Sequence, residues 1–229
     1  KVGFKRFIRR APVGTVLTVA PWNYPLLTAV NSIVPALMAG NSVILKPSAQ
    51  VPLCGEHFVK AFQEAGLPEG LLQCPFLSHD STNALIKSGQ VDSVCFTGSV
   101  TAGRTVEEAA AGTFAAVNLE LGGKDPAYVM ADADINVSVE NLVDGAFFNS
   151  GQSCCGIERI YVHESRFGRF VEAYVEQVKQ YQLASPLEPA TTLGPVVRKS
   201  AADWVRNQVS EAITRGATAC VDPALFPNA

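Results

Sequence analysis

Residues 13–20, VGTVLTVA, are apolar and β-branched, without the polar alternation of a half-solvated strand. A strand of that composition has to be covered on both faces, as strands of a parallel sheet between helices are. The sequence around it meets that demand. Pro21 ends the run, and the turn PWNYP leads into a helix expected over residues 26–38, with Gly40 as its C-terminal cap. Further strands are expected at 42–45, 71–73, 91–96 and 117–120. Between them, a helix opens at Pro52, where a first helical turn tolerates proline, and Leu53, Phe58, Val59, Phe62 and Ala65 trace its apolar stripe as far as Gly66. A short helix is expected over 83–87, and another over 101–111 after the turn Thr97-Gly98-Ser99. This alternation predicts an α/β fold whose ligands collect at the carboxyl ends of parallel strands.

The pair Gly122-Gly123 reads as a hinge between two units. Beyond it we expect a strand at 127–130, a helix over 136–148, a cysteine-bearing turn, a strand at 159–162 and a helix over 167–181. A proline- and threonine-rich loop at 185–195, a helix over 201–215 and a short strand at 217–221 complete the pattern. The domains expected are therefore 13–121 and 122–229, preceded by an edge or interface strand at 1–12 in which Lys1, Lys5, Arg6, Arg9 and Arg10 alternate with Val2, Phe4, Phe7 and Ile8. The start at Lys1 and the ending PALFPNA, which has no closing element, both read as cuts in a longer sequence.

A net charge of −3 and the lack of a basic stripe argue against nucleic acid or an anionic membrane as partner. No apolar run is long enough to span a bilayer. The six cysteines include no CxxC pair, and there are three histidines, so neither zinc spacing nor a disulfide framework is signalled and no metal is expected. That cysteine usage fits a reducing compartment.

Three turns carry the chemistry: PWNYP with Asn23, LELGGK with Glu120, and GQSC with Cys154. They offer an amide donor, a carboxylate base and a thiol, a set suited to acyl chemistry through a thioester. A thiol attacks as the thiolate, whose unperturbed pKa of about 8.5 must be lowered by nearby dipoles or cations; Gly151 allows a turn that can aim amides at the sulfur. Taken singly, each residue has a plainer reading. The Cys154-Cys155 pair can be buried and structural, and if extended only one of the two faces a given cleft. Asn23 can cap the following helix, and Glu120, at the end of an apolar strand where desolvation is costly, can sit in an ion pair.

Five motifs in order, PWNYP, KPS at 46–48, FTGS at 96–99, LELGGKDP at 119–126 and FFNSGQSCCGIER at 147–159, resemble the aldehyde dehydrogenase family across essentially the whole chain. The resemblance implies a Rossmann-like parallel-sheet cofactor domain followed by part of an α/β catalytic domain. It implies Cys154 as nucleophile, Glu120 as general base and Asn23 as oxyanion donor beside the Cys154 amide. It also implies NAD or NADP held by Lys46, Gly98, Ser99, Trp22 and the Leu121 carbonyl, an aldehyde as the small-molecule substrate, and a homo-oligomer at full length. Many NAD-preferring members carry Glu where this chain has Ala49, which leaves room for a 2′-phosphate. The family's downstream Glu-x-Phe-Gly-Pro motif does not occur here. Competing readings are a non-catalytic protein retaining the fold, a cysteine hydrolase, for which no histidine lies beside the motifs, and an acylating enzyme using coenzyme A.

Overall fold

The computed structural model describes residues 3–226. The chain divides at the Gly122–Gly123 bond into two compact units.

In the first unit five parallel strands run β3-β2-β1-β4-β5 across the sheet: β1 (Thr15–Val19), β2 (Ser42–Lys46), β3 (Leu72–Gln73), β4 (Ser93–Thr97) and β5 (Ala116–Glu120). The expected apolar run is the central strand, and its alternate residues feed two cores. Leu17 and Val19 join Val94 and Phe96 of β4 and Val106, Ala109 and Ala110 of helix α4 (Val100–Ala110), with Ile86 of α3 (His79–Lys87). Val16 and Ala20 join Val43 and Leu45 of β2 and Ala29 and Ile33 of α1 (Pro25–Met38), with Phe58 and Phe62 of α2 (Pro52–Glu64) against them. Burying side chains as fully as Leu17 and Val94 is worth ~1.5–3 kcal/mol each, so β1 anchors both layers.

Proline and glycine set the helix boundaries as the sequence suggests. Pro25 and Pro52 open α1 and α2, where the missing N–H costs no helical bond. Gly40 takes φ +87°, letting the Asn41 N–H turn back to the Ala36 carbonyl at 3.1 Å and close α1. The expected stripe of α2 holds at Phe58, Val59 and Phe62, but Leu53 in the first turn and Ala65 at the C-terminal cap are solvent-exposed.

In the second unit a two-stranded parallel sheet, β6 (Asp125–Val129) with β7 (Ile157–Val162), packs on α5 (Ile135–Phe147) and α6 (Glu164–Val178) around Val129, Val139, Val143 and Phe170. Tyr128 and Tyr161 are exposed. Helix α7 (Lys199–Thr214) follows a loop, and no described residue of it is buried.

Two expected strands do not form among the described residues. Residues 217–221 carry no ladder, and neither do residues 3–12 of the expected N-terminal strand. A strand is defined by its partner, and neither segment meets one among the described residues. Residues 1–2, and the last three of PALFPNA, lie outside the described residues.

Candidate active site

Strand β1 is flanked by β2 on one side and β4 on the other, so its neighbours are reached through helices on opposite faces and a crevice opens at the carboxyl ends. Every first-unit residue expected to act lies along that edge. Trp22 and Asn23 follow β1, Lys46 ends β2, Gly98 and Ser99 follow β4, Glu120 ends β5 and Leu121 follows it. A cleft of about 340 Å³ at this edge is lined by Thr18, Val19 and Ala20 of β1 and its end, by Thr28, Asn31 and Ser32 of α1, and by Cys95, Thr97, Asn118 and Glu120. Helices α1 and α2 cover β1 and β2, leaving the β4–β5 part of that face to polar side chains.

Asn23 does not cap α1. Tyr24 occupies that position without a side-chain cap bond, and Asn23 Oδ1 accepts from the Tyr24 N–H at 3.1 Å. Glu120 is exposed, so the desolvation argued from its strand position does not act on it in this chain. The Gly98 N–H donates to the Glu120 carbonyl at 3.0 Å, tying the turn after β4 to the end of β5.

That turn is built for close approach. A Cβ on Gly98 would lie 2.6 Å from the buried Phe96 ring, and one on Gly103 2.6 Å from Leu121. Ser99 caps α4 by accepting from the Ala102 N–H at 3.2 Å, while the first-turn N–H groups of Val100 and Thr101 have no helical carbonyl to meet. Such a helix start favours an anion. Lys46 is 5 % exposed, and among the described residues its ammonium has neither ion pair nor hydrogen bond. Burial lowers its pKa. A desolvated cation without a partner is costly, and sugar hydroxyls or phosphate oxygens would satisfy it. The helix start and this lysine together fit a dinucleotide.

Cys154 belongs to the second unit. Helix α5 runs into a 3-10 turn, Phe148–Gly151, in which Asn149 (φ 51°), Ser150 (φ 58°) and Gly151 (φ 72°) are all left-handed. The glycine was legible as the turn's permissive residue; Ser150 was not, since left-handed backbone costs an ordinary residue with a Cβ roughly 1–2 kcal/mol. Cys154 and Cys155 follow in a turn rather than an extended run, so the alternation of faces that an extended backbone would impose does not apply, and both are exposed. The Cys154 N–H has no internal acceptor among the described residues, leaving it available to a ligand oxygen. Ser153 Oγ lies 3.3 Å from Cys155 Sγ. Of the remaining cysteines, Cys74 and Cys95 have pKa values pushed up by burial, with Glu56 adding to the effect at Cys74 and hydrogen bonds from Asn118 and Ser93 opposing it at Cys95. Both are held as thiols, poor nucleophiles beside an exposed cysteine.

Sequence reasoning missed Gln152 and Ser150. Gln152 Oε1 accepts from the Val197 N–H at 2.7 Å, and Ser150 Oγ donates to the Gly194 carbonyl at 2.6 Å. Their place inside the cysteine motif was the available signal; their partners, 45 and 44 positions away, were not. Among the described residues no cluster of three or more metal-ligating side chains occurs, and no helix is long and apolar enough to cross a membrane.

Residues 2–227 match the aldehyde dehydrogenase family. A succinate-semialdehyde dehydrogenase [NADP(+)] of Mycobacterium avium is 38% identical over 219 residues, 95% of this chain and 46% of that protein. Aldehyde dehydrogenase 1A1 of Homo sapiens is 38% identical over 216 residues, 93% of this chain and 43% of that protein. Among solved structures, an aldehyde dehydrogenase from Brucella melitensis biovar abortus superposes with a TM-score of 0.88 at 31% identity, covering 91% of this chain and 43% of that one. A 3,6-anhydro-L-galactose dehydrogenase in complex with NAP does so at 0.86 and 35%, covering 91% and 44%. The chain thus spans under half the length of the curated relatives it matches. With its motifs, parallel sheet and cysteine turn all in the matched span, the chain belongs to the aldehyde dehydrogenase family.

Proposed function

We propose that the chain carries the nucleophile, base and oxyanion donor for oxidation of an aldehyde to a carboxylic acid with NAD or NADP. The observation that carries this reading is the exposed Cys154 thiol on a left-handed turn, beside a backbone N–H with no acceptor among the described residues, in a chain of this family. The Cys154 thiolate attacks the aldehyde carbon, forming a C–S bond and pushing the carbonyl electrons onto oxygen. The Cys154 N–H and the Asn23 amide donate to that oxyanion. A bound nicotinamide would supply the hydride acceptor for the carbon. Loss of that hydride as the oxyanion re-forms the carbonyl would leave a thioester on Cys154. Glu120 takes a proton from water, the resulting hydroxide adds to the thioester, and the thiolate departs, releasing the acid.

Lys46 would hold the adenosine ribose, the α4 start with Gly98 and Ser99 the pyrophosphate, and Trp22 and the Leu121 carbonyl would line the pocket. The Ala49 position and the NADP(+) named for the Mycobacterium avium relative support NADP alongside NAD. The first unit acts as the cofactor domain and the second as part of the catalytic domain. The exposed Phe4, Phe7 and Ile8 of the N-terminal segment suit an interface strand in a homo-oligomer.

The test is titration with NADH and NADPH by fluorescence, paired with iodoacetamide labelling resolved by cysteine. Saturable binding and preferential labelling of Cys154 are expected. Absence of both would leave a non-catalytic protein with this fold as the better account.

A further inference from the structure

The turn presenting Cys154 lies between α5 and β7. It closes on itself through the Gln152 N–H to the Asn149 carbonyl at 3.1 Å and Asn149 Nδ2 to the Gln152 carbonyl at 3.3 Å. Beyond that, the Gln152 amide works at both ends. Its Nε2 donates to the Asn149 carbonyl at 3.0 Å, inside the turn, and its Oε1 accepts from the Val197 N–H at 2.7 Å, outside it. Ser150 adds its 2.6 Å bond to the Gly194 carbonyl.

The segment that receives these bonds is itself closed. Thr192 and Leu193 donate their N–H groups to the Gln182 carbonyl at 3.0 and 3.2 Å, the Gln182 N–H returns to Thr192 Oγ1 at 2.8 Å, and Thr191 Oγ1 donates to the Ser185 carbonyl at 2.7 Å. We propose that Gln152, assisted by Ser150, is a positioning residue that sets the direction of the Cys154 thiol by clamping the left-handed turn to the 182–197 loop. The proposal rests on the reading of Cys154 as nucleophile.

The physical case is that left-handed residues bearing side chains persist only where their surroundings hold them. Asn149 and Ser150 are two such residues in succession. Without the clamp they relax toward right-handed backbone, and the peptide planes that follow rotate. Cys154 and Cys155 are adjacent and both exposed, so which of them reacts reports that rotation directly. An amide is required at 152 because one end must donate and the other accept.

The experiment measures iodoacetamide labelling of Cys154, Cys155 and Cys220 by mass spectrometry in the wild type and in Gln152→Ala, Gln152→Glu and Ser150→Ala. Gln152→Ala is expected to lower the Cys154:Cys155 ratio by about fivefold or more, the combined factor of its two lost hydrogen bonds at the low end of what such bonds contribute. The labelling rate of Cys220 should stay as in the wild type. Gln152→Glu, which keeps the acceptor for Val197 but loses the donor to the Asn149 carbonyl, should restore only part of the ratio. Should Gln152→Ala not fold, a fall of roughly twofold in Ser150→Ala, with its single lost bond, decides the matter. A ratio unmoved in the variants, or one that moves only together with Cys220, overturns the clamp. A wild type without preference for Cys154 counts instead against the nucleophile reading, and the variants' change relative to it still decides the clamp.

Discussion

Adding one methyl group at Gly123 separates packing from flexibility in the Gly122-Gly123 pair. Neither glycine has positive φ, so alanine is conformationally permitted at both. A Cβ on Gly122 meets nothing within 4 Å. A Cβ on Gly123 would fall on the Cys154 carbonyl oxygen, well inside 3.0 Å, with Asp125 Oδ1 at 3.1 Å and the Cys154 carbonyl carbon at 3.3 Å. Two of those three atoms are backbone, so no rotamer relieves the clash and the cysteine turn itself must retreat, by on the order of 1 Å. Overpacking of this kind costs ~1–3 kcal/mol, and rigid backbone on one side argues for the upper half, about 2–3 kcal/mol. At roughly 2–4 °C per kcal/mol for a chain of this size, Gly123→Ala should melt about 4–12 °C lower. Gly122→Ala should be neutral or gain ~0.4–1 kcal/mol from a less flexible unfolded chain.

The assay is thermal unfolding of both variants by circular dichroism, with Cys154 labelling followed alongside. If the two alanines melt alike, or if Gly123→Ala labels at Cys154 as the wild type does, the close approach of residue 123 to the cysteine turn is not real.

Two titratable groups give predictions with defined signs. The Lys46 pKa is lowered by burial, so its charged form burdens the fold at neutral pH, and the burden lifts only as pH rises through the lowered value toward 10.5. Lys46→Met should therefore be more stable than wild type in denaturant titrations at pH 7, by a margin that shrinks toward pH 10.5, while NADPH binding weakens about tenfold or more as a charge-assisted bond is lost. Tyr174 has its pKa pushed up to about 12 by burial and by Tyr181. Its neutral form is favoured in the fold, so the contribution is complete below pH 10 and is lost as pH rises through about 12. Tyr174→Phe should unfold less steeply with pH between those values, and an alkaline limb identical to wild type would contradict the assignment.

The first unit was legible because its determinants are local. An apolar β-branched run names a covered strand, prolines mark the starts of α1 and α2, and Gly40 marks the end of α1. The chemistry-bearing turns then fall at carboxyl ends because parallel strands all finish on the same edge. What stayed hidden depends on partners. Residues 217–221 have strand composition without a strand beside them, and Leu53 keeps the helical spacing of its stripe while lying past the core. Nothing in Ser150 announces a left-handed backbone, and nothing near Gln152 announces a bond to residue 197.

The same division explains how the two halves of the candidate chemistry should respond to mutation. Glu120, Ser99 and Lys46 inherit their positions from strands whose registers are fixed by ladders on β1 and β4, so most single changes around them leave their placement intact. Cys154 has no such ladder. Its placement depends on three consecutive left-handed residues, two side-chain bonds to a distant loop, and the bare backbone of Gly123. Left-handed backbone at Asn149 and Ser150 costs roughly 1–2 kcal/mol each, while hydrogen bonds of this type return ~0.5–1.5 kcal/mol each. The turn is therefore close to balance, and losing a single bond or gaining a single methyl group is enough to tip it. Sensitivity to small substitutions should concentrate at residues 149–154, 123, 194 and 197, and should be weak along β4 and β5 despite the chemistry carried there.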